Sequence, residues 1–311
     1  MMKKAISFAL IMLACSAQGI AISTTENQIA ANSDTIVNTR SRVIGLTIAN
    51  AAAITGSLVL LNEAWYKDHP RSHFRFHNDF PDWLQQDKLG HFFSGYQLAR
   101  FSTATYLWAG LNNKSAAWAG AATGTLFLTT VEILDGFSLE WGASIPDFIA
   151  NTLGTTLFLS QHLLWEQQKV QVKYSYSESG LAHLRPALLG SSLPERMLKD
   201  YNAHTFWLSL NVRAFFPEQR MIPPWLNIAI GHGANGMIGS LQNPSVVNDQ
   251  TMPLLHRYRQ WYLAPDIDFT RINTNSPFLR SFFWMLNTLK MPSPAIEYNS
   301  KSGLRFHWLF F

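Results

Sequence analysis

Four apolar stretches with helical spacing fill the first half of the chain, at 43–62, 89–111, 115–134 and 145–165. Each approaches the length that spans a bilayer. The last three carry polar groups: Arg100 in the middle of the second, Glu132 and Asp135 at the end of the third, and Asn151, Gln161 and His162 in the fourth. Ionisable residues at such positions face a protein interior, so the pattern predicts helices packed on one another, in or against a membrane. Ala116, Gly120 and Gly124 recur every four residues on the third stretch, a ridge of small side chains that lets a neighbouring helix come close.

Beyond Trp165 the period changes. Val170, Val172, Tyr174 and Tyr176 alternate with polar residues, as do Phe206, Leu208, Leu210 and Val212, which is the two-residue repeat of half-exposed strands. Further strands are expected at 226–230, 258–263, 267–272, 295–298 and 304–311. Residues 277–290 place Phe278, Phe282, Phe283, Leu286 and Leu289 on one side of an amphipathic helix. The predicted fold class is α+β: an up-and-down bundle of about four helices over 43–168, then an antiparallel β-rich half over 169–311 that contains one amphipathic helix. The last strand ends on Phe311, an ending that resembles the assembly signal of outer-membrane barrels. About seven short strand candidates broken by a helix fall short of the eight strands a barrel requires, so an ordinary final strand is expected.

At the N-terminus, Met1-Met2-Lys3-Lys4 precedes the short apolar run 5–13, the layout of a bacterial export signal over 1–21. Cys15 is the only cysteine and follows Met12-Leu13-Ala14, a setting similar to a lipoprotein processing box in which the cysteine is lipidated. The box usually has Leu three positions before the cysteine, so lipidation at Cys15 and ordinary cleavage near 17–21 both stand. Residues 22–42 lack an apolar period and are expected to form a polar tether. One cysteine permits no disulfide within the chain, which leaves packing to hold it together.

Composition sharpens this only slightly. With 47% hydrophobic and 14% charged residues, the chain suits a large buried core or a membrane-facing protein. Its net charge of +4 comes from scattered basic residues, so nucleic acid is not an expected partner. Membrane lipids are, with other envelope proteins as further candidates.

The candidate chemistry lies where the apolar stretches end: Asp87-Lys88-Leu89-Gly90-His91, Glu132-Ile133-Leu134-Asp135-Gly136, and Ser144-Ile145-Pro146-Asp147 continuing to Asn151. Up-and-down connectivity brings these motifs to one end of the bundle, and within each the polar side chains share a helix face. Helix-end chemistry explains part of the pattern. Asp87 suits an N-cap, Ser144 with Pro146 and Asp147 forms a variant capping box, and Gly136 can end a helix. Glu132 and Asp135 are not explained this way, because acids in a last turn face the negative end of the helix dipole and call for a cation. Lys88 and His91 are the nearest. Asp87, Lys88, His91, Glu132, Asp135, Ser144, Asp147 and Asn151 are therefore expected to form a structural polar network or a ligand site. The catalytic alternative takes His91 as general base, oriented by Glu132 or Asp135, acting on a lipid or cell-wall precursor. No metal or other cofactor is expected, since His91 has no second histidine at helical spacing and H-E-x-x-H is absent. The chain also lacks a G-x-S-x-G nucleophile elbow.

In their order, Asp87-Lys88-x-Gly90-His91, Glu132-x-x-Asp135-Gly136 and Trp141-Gly142-x-Ser144-x-x-Asp147-x-x-Ala150-Asn151-x-x-Gly154 resemble a bacterial family of predicted periplasmic lipoproteins typified by YfiM. The pattern is also similar to VanZ-like membrane proteins. The resemblance covers about residues 60–160. The first family implies an exported envelope protein with no assigned activity, and the second implies a compact helical bundle in or against a membrane. Together they imply a cell-envelope protein of structural or accessory type, in the outer membrane or on a periplasm-facing membrane.

Overall fold

The computed structural model describes residues 39–61, 72–139 and 141–311. The export segment, Cys15 and most of the tether lie outside the described residues. The first helix, α1 (Thr39–Leu61), touches its neighbours through Leu46, which packs with Tyr106, Ala109 and Ala116. Three long helices follow: α2 (Gln86–Trp108), α3 (Asn113–Gly136) and α4 (Ile145–Trp165). Among the described residues, α3 is the one helix long and apolar enough to cross a membrane by length and composition.

Small residues set the spacing of these helices. A Cβ on Gly120 would collide with the Thr103 backbone and one on Gly154 with the Phe92 carbonyl, so α3 and α4 approach α2 with backbone nearly against backbone. Successive helices run antiparallel. Arg100, at mid-helix, turns inward: its guanidinium donates to Gln97 Oε1 at 3.1 Å and Thr288 Oγ1 at 3.2 Å, and lies 4.1 Å from the Trp284 ring centre.

The C-terminal half is an antiparallel six-stranded sheet in sequential order: β1 (Val170–Tyr176), β2 (His204–Asn211), β3 (Leu226–Asn235), β4 (Tyr258–Ile267), β5 (Ser293–Asn299) and β6 (Gly303–Phe310). A short helix, α5 (Leu193–Lys199), precedes β2, and α6 (Pro277–Leu286) lies between β4 and β5. The fold is α+β, helices first and antiparallel sheet second. Tyr174 bonds Thr288 and Lys290 through its backbone at 3.1 and 2.9 Å. The segment before β5 is thereby tied back to β1, and the sheet is curled. Phe310 of β6 stacks on Tyr262 at 4.3 Å and lies 6.1 Å from Trp207 of β2, inside the curl.

The bundle packs on the outside of the curl, where Phe93, Tyr96, Ala99 and Phe158 meet Val172, Tyr174 and Phe206. β1 is thus covered on both faces, not half-exposed as its alternation implies: Gln171, Lys173 and Ser175 point into the curl and are as buried as its apolar residues. Lys173 Nζ pairs there with Asp266 Oδ2 at 2.8 Å, which removes the cost of an isolated buried charge. The strand expected at 267–272 is instead a turn, because the Asp268 carboxylate accepts the Thr270 N–H and caps a short helical turn at Phe269–Arg271. Val212 likewise opens a short helical turn, Val212–Phe215, and does not extend β2.

Candidate functional site

The backbone approaches the motif end in an uncommon way. Trp83, Leu84 and Gln85 are left-handed, with φ of 50°, 51° and 67°, a conformation that costs about 1–2 kcal/mol per non-glycine residue. Burial holds it: Trp83 is 1% exposed, its N–H donates to the Ser240 carbonyl at 2.9 Å, and its ring lies 5.4 Å from that of Tyr201. The strained turn delivers α2 with Asp87 as its second residue. Asp87 is therefore not the N-cap that its sequence position suggests, since Gln85 occupies that place with no side-chain cap bond.

Freed from capping, the Asp87 carboxylate accepts Lys88 Nζ at 2.7 Å and the Tyr201 hydroxyl at 2.8 Å. The Lys88 ammonium lies 2.6 Å from Asp79 Oδ1 and 2.6 Å from Asp147 Oδ1 as well. One cation thus serves three carboxylates from the 72–81 segment, α2 and α4. Each of these four residues is less than a tenth exposed.

Ser144 is the N-cap of α4 and accepts the Asp147 N–H at 3.1 Å, as the capping pattern predicts. The reciprocal half of that box is supplied differently. Asp147 faces Lys88, and Glu132 of α3 reaches across to accept the Ser144 N–H at 3.2 Å. Ser144 Oγ donates to Asp79 at 2.5 Å. His91 Nδ1 donates to Asn151 Oδ1 at 3.1 Å and lies 3.7 Å from Glu132 Oε1, while its Nε2 lies 3.7 Å from Asp147 Oδ1. Asp135 is 2% exposed. The structure thus brings Asp87, Lys88, His91, Glu132, Ser144, Asp147 and Asn151 into one cluster, with Lys88 directed to Asp79, Asp87 and Asp147 and the imidazole beside Glu132.

The end of α3 is closed by backbone. The Asp135 carbonyl accepts N–H groups from Ser138 and Gly142, both at 3.0 Å, and the Gly136 carbonyl accepts that of Arg75 at 3.0 Å. The segment 72–77 continues as a strap, with His77 and Ala143 sharing a 2.9 Å bond, and the Arg75 side chain donates to the carbonyls of Ser138 and Leu139. Gly136 is the last residue of α3, not a left-handed terminator. Phe74 packs where its side chain would be.

Two partners escaped the sequence. Asp79 and Tyr201 lie in segments with no apolar period, and Tyr201 comes from the opposite half of the chain. Asp82, beside the cluster, has its pKa raised from 3.8, first by burial and then by the carboxylates of Asp79 and Asp87, against the opposing effect of Lys88.

Asp87, His91 and Asp147 present ligand atoms within 4.8 Å of one another, the spacing of a metal site. Lys88 Nζ already binds two of these carboxylates, so a divalent ion there would meet an ammonium. A cleft of about 800 Å³ lies elsewhere, between the far ends of α2 and α4 and helix α6, where Arg100, Trp108, His162 and Trp284 line it and no motif residue does.

These features define an α+β protein with a buried ion cluster closing one end of its helices. Residues 77–162, just over a quarter of the chain, match the model of a family described as predicted periplasmic lipoprotein (DUF2279). That segment begins two residues before Asp79 and contains every motif residue of the cluster, but not Tyr201. The description is consistent with an exported, envelope-associated protein. No curated protein and no solved structure matches the chain.

Proposed function

We propose that this is a cell-envelope protein of structural or accessory type, in which the motif end is an internal lock and not a reaction centre. The observation that carries the reading is the Lys88 ammonium among the carboxylates of Asp79, Asp87 and Asp147, with every member buried. A general base needs access to a substrate proton. Here the Lys88 ammonium and the carboxylates of Asp79, Asp87 and Asp147 are spent on one another, and all four residues are buried. The lock joins helices to sheet through Tyr201, which supports a scaffold role.

The likeness to YfiM and to VanZ-like proteins supports an outer-membrane or periplasm-facing position, with Cys15 as the lipid attachment point and membrane lipids as partners. Fractionation of the expressed full chain into inner membrane, outer membrane, periplasm and cytosol tests the location. Recovery with the outer membrane is the expected result. Recovery in the cytosol contradicts the proposal.

A further inference from the structure

We infer that the outward face of the sheet and the outer faces of α3 and α4 form a belt that contacts membrane hydrocarbon. A water-soluble antiparallel sheet turns its apolar side chains inward and its polar ones to solvent. Apart from the aromatic cluster of Trp207, Tyr262 and Phe310 inside the curl, this sheet does the reverse. Lys173, Ser209, Asn227, Asp266, Glu297 and Asn299 point into the curl and are no more than 3% exposed. Facing outward, Leu208, Ile230, Leu263, Ile296 and Phe306 lie side by side in register across β2 to β6 and are 40–55% exposed. Apolar outside and polar inside is the arrangement of membrane-embedded strands.

The dimensions agree. Along β4 the outward positions are Trp261, Leu263, Pro265 and Ile267, which at about 3.4 Å per residue cover about 20 Å. The apolar band of membrane strands is about 25 Å tall. On the side toward the motif end, Trp261 pairs with Tyr298, and the next outward position on β4 is Arg259. Aromatic residues followed by a cation mark the boundary between hydrocarbon and water.

The helices extend the argument. Between 115 and 165 the only charged residues described are Glu132, Asp135 and Asp147, and all three are buried. Leu126 and Leu153 are more than half exposed on faces that carry no charge. Apolar side chains exposed on five strands and two helices are more than the single scattered ones usual on a soluble monomer, and one protein partner would have to wrap both elements. Lipid covers both without a matching shape.

The inference deepens the envelope reading and rests on it, but its test is separate from fractionation. In a Cys15→Ser full chain, single cysteines at Leu263→Cys, Leu126→Cys and, as an aqueous control, Asp249→Cys carry a nitroxide. The labelled chains are bound to vesicles of phosphatidylethanolamine and phosphatidylglycerol. Expected are collisions with oxygen exceeding those with a water-soluble nickel chelate at 263 and 126, and the opposite at 249. Chelate-dominated collision at 263 overturns the inference, as do shielding from both reagents, which means a protein covers the face, and failure to bind vesicles. The unsubstituted chain gives a label-free check, because tryptophan emission should be quenched by lipids brominated along the acyl chain. Absence of quenching overturns the inference. A protein found in the envelope that fails these tests loses the belt and keeps the location.

Discussion

Tyr201 donates to a buried carboxylate that is already shared with Lys88. A hydrogen bond to a charged group contributes about 1.5–3 kcal/mol, so Tyr201→Phe should lower unfolding free energy by that amount in urea titration. A change near zero would remove Tyr201 from the network. Asp82 gives a pH-dependent counterpart. Its raised pKa means that the folded protein binds this proton more tightly than the unfolded chain does. The carboxylate therefore costs stability above its folded pKa, and the cost fades as pH falls from there to the unfolded value of 3.8, below which it is gone. Asp82→Asn should raise the melting temperature at pH 7, with the gain vanishing in acid; a gain independent of pH would contradict the assignment. The candidate residues themselves were legible because spacing of three and four puts polar groups on one helix face. Asp79 and Tyr201 were not, because no local pattern distinguishes a loop acid or a lone tyrosine that becomes a partner only after folding.

At the level of elements, period distinguished helix from strand, and the small-residue ridge on α3 anticipated its close contact with α2. Gly154→Ala places a methyl group against the Phe92 carbonyl, and overpacking of this kind costs about 1–3 kcal/mol. Thermal denaturation should register that loss, whereas an unchanged midpoint would mean that α2 and α4 can separate without penalty. Alternation in β1 and β2 showed that two faces differ but could not show which face would be covered, since a curled sheet buries its polar side. The left-handed Trp83-Leu84-Gln85 turn had no signature either. Non-glycine residues adopt it only because Trp83 is anchored between Ser240 and Tyr201.

For the whole molecule, the helical half carries the family likeness and the sheet half carries Tyr201, so the lock is where the two halves depend on each other. If Cys15 is the lipid attachment point, radiolabelled palmitate should enter the wild type and not Cys15→Ala, and label in neither would leave ordinary signal cleavage or an uncleaved anchor. The central claim is that the cluster is structural, and Lys88→Met tests it most directly. Removing this ammonium leaves Asp79, Asp87 and Asp147 facing one another without it, and breaking a buried pair costs about 3–5 kcal/mol. Unfolding followed by far-UV circular dichroism and by tryptophan fluorescence should show one coincident transition, displaced to lower urea by that amount. An unchanged transition, within the range of about 0–1 kcal/mol typical of a surface pair, combined with loss of an envelope phenotype in His91→Ala, would contradict the lock and favour a working site.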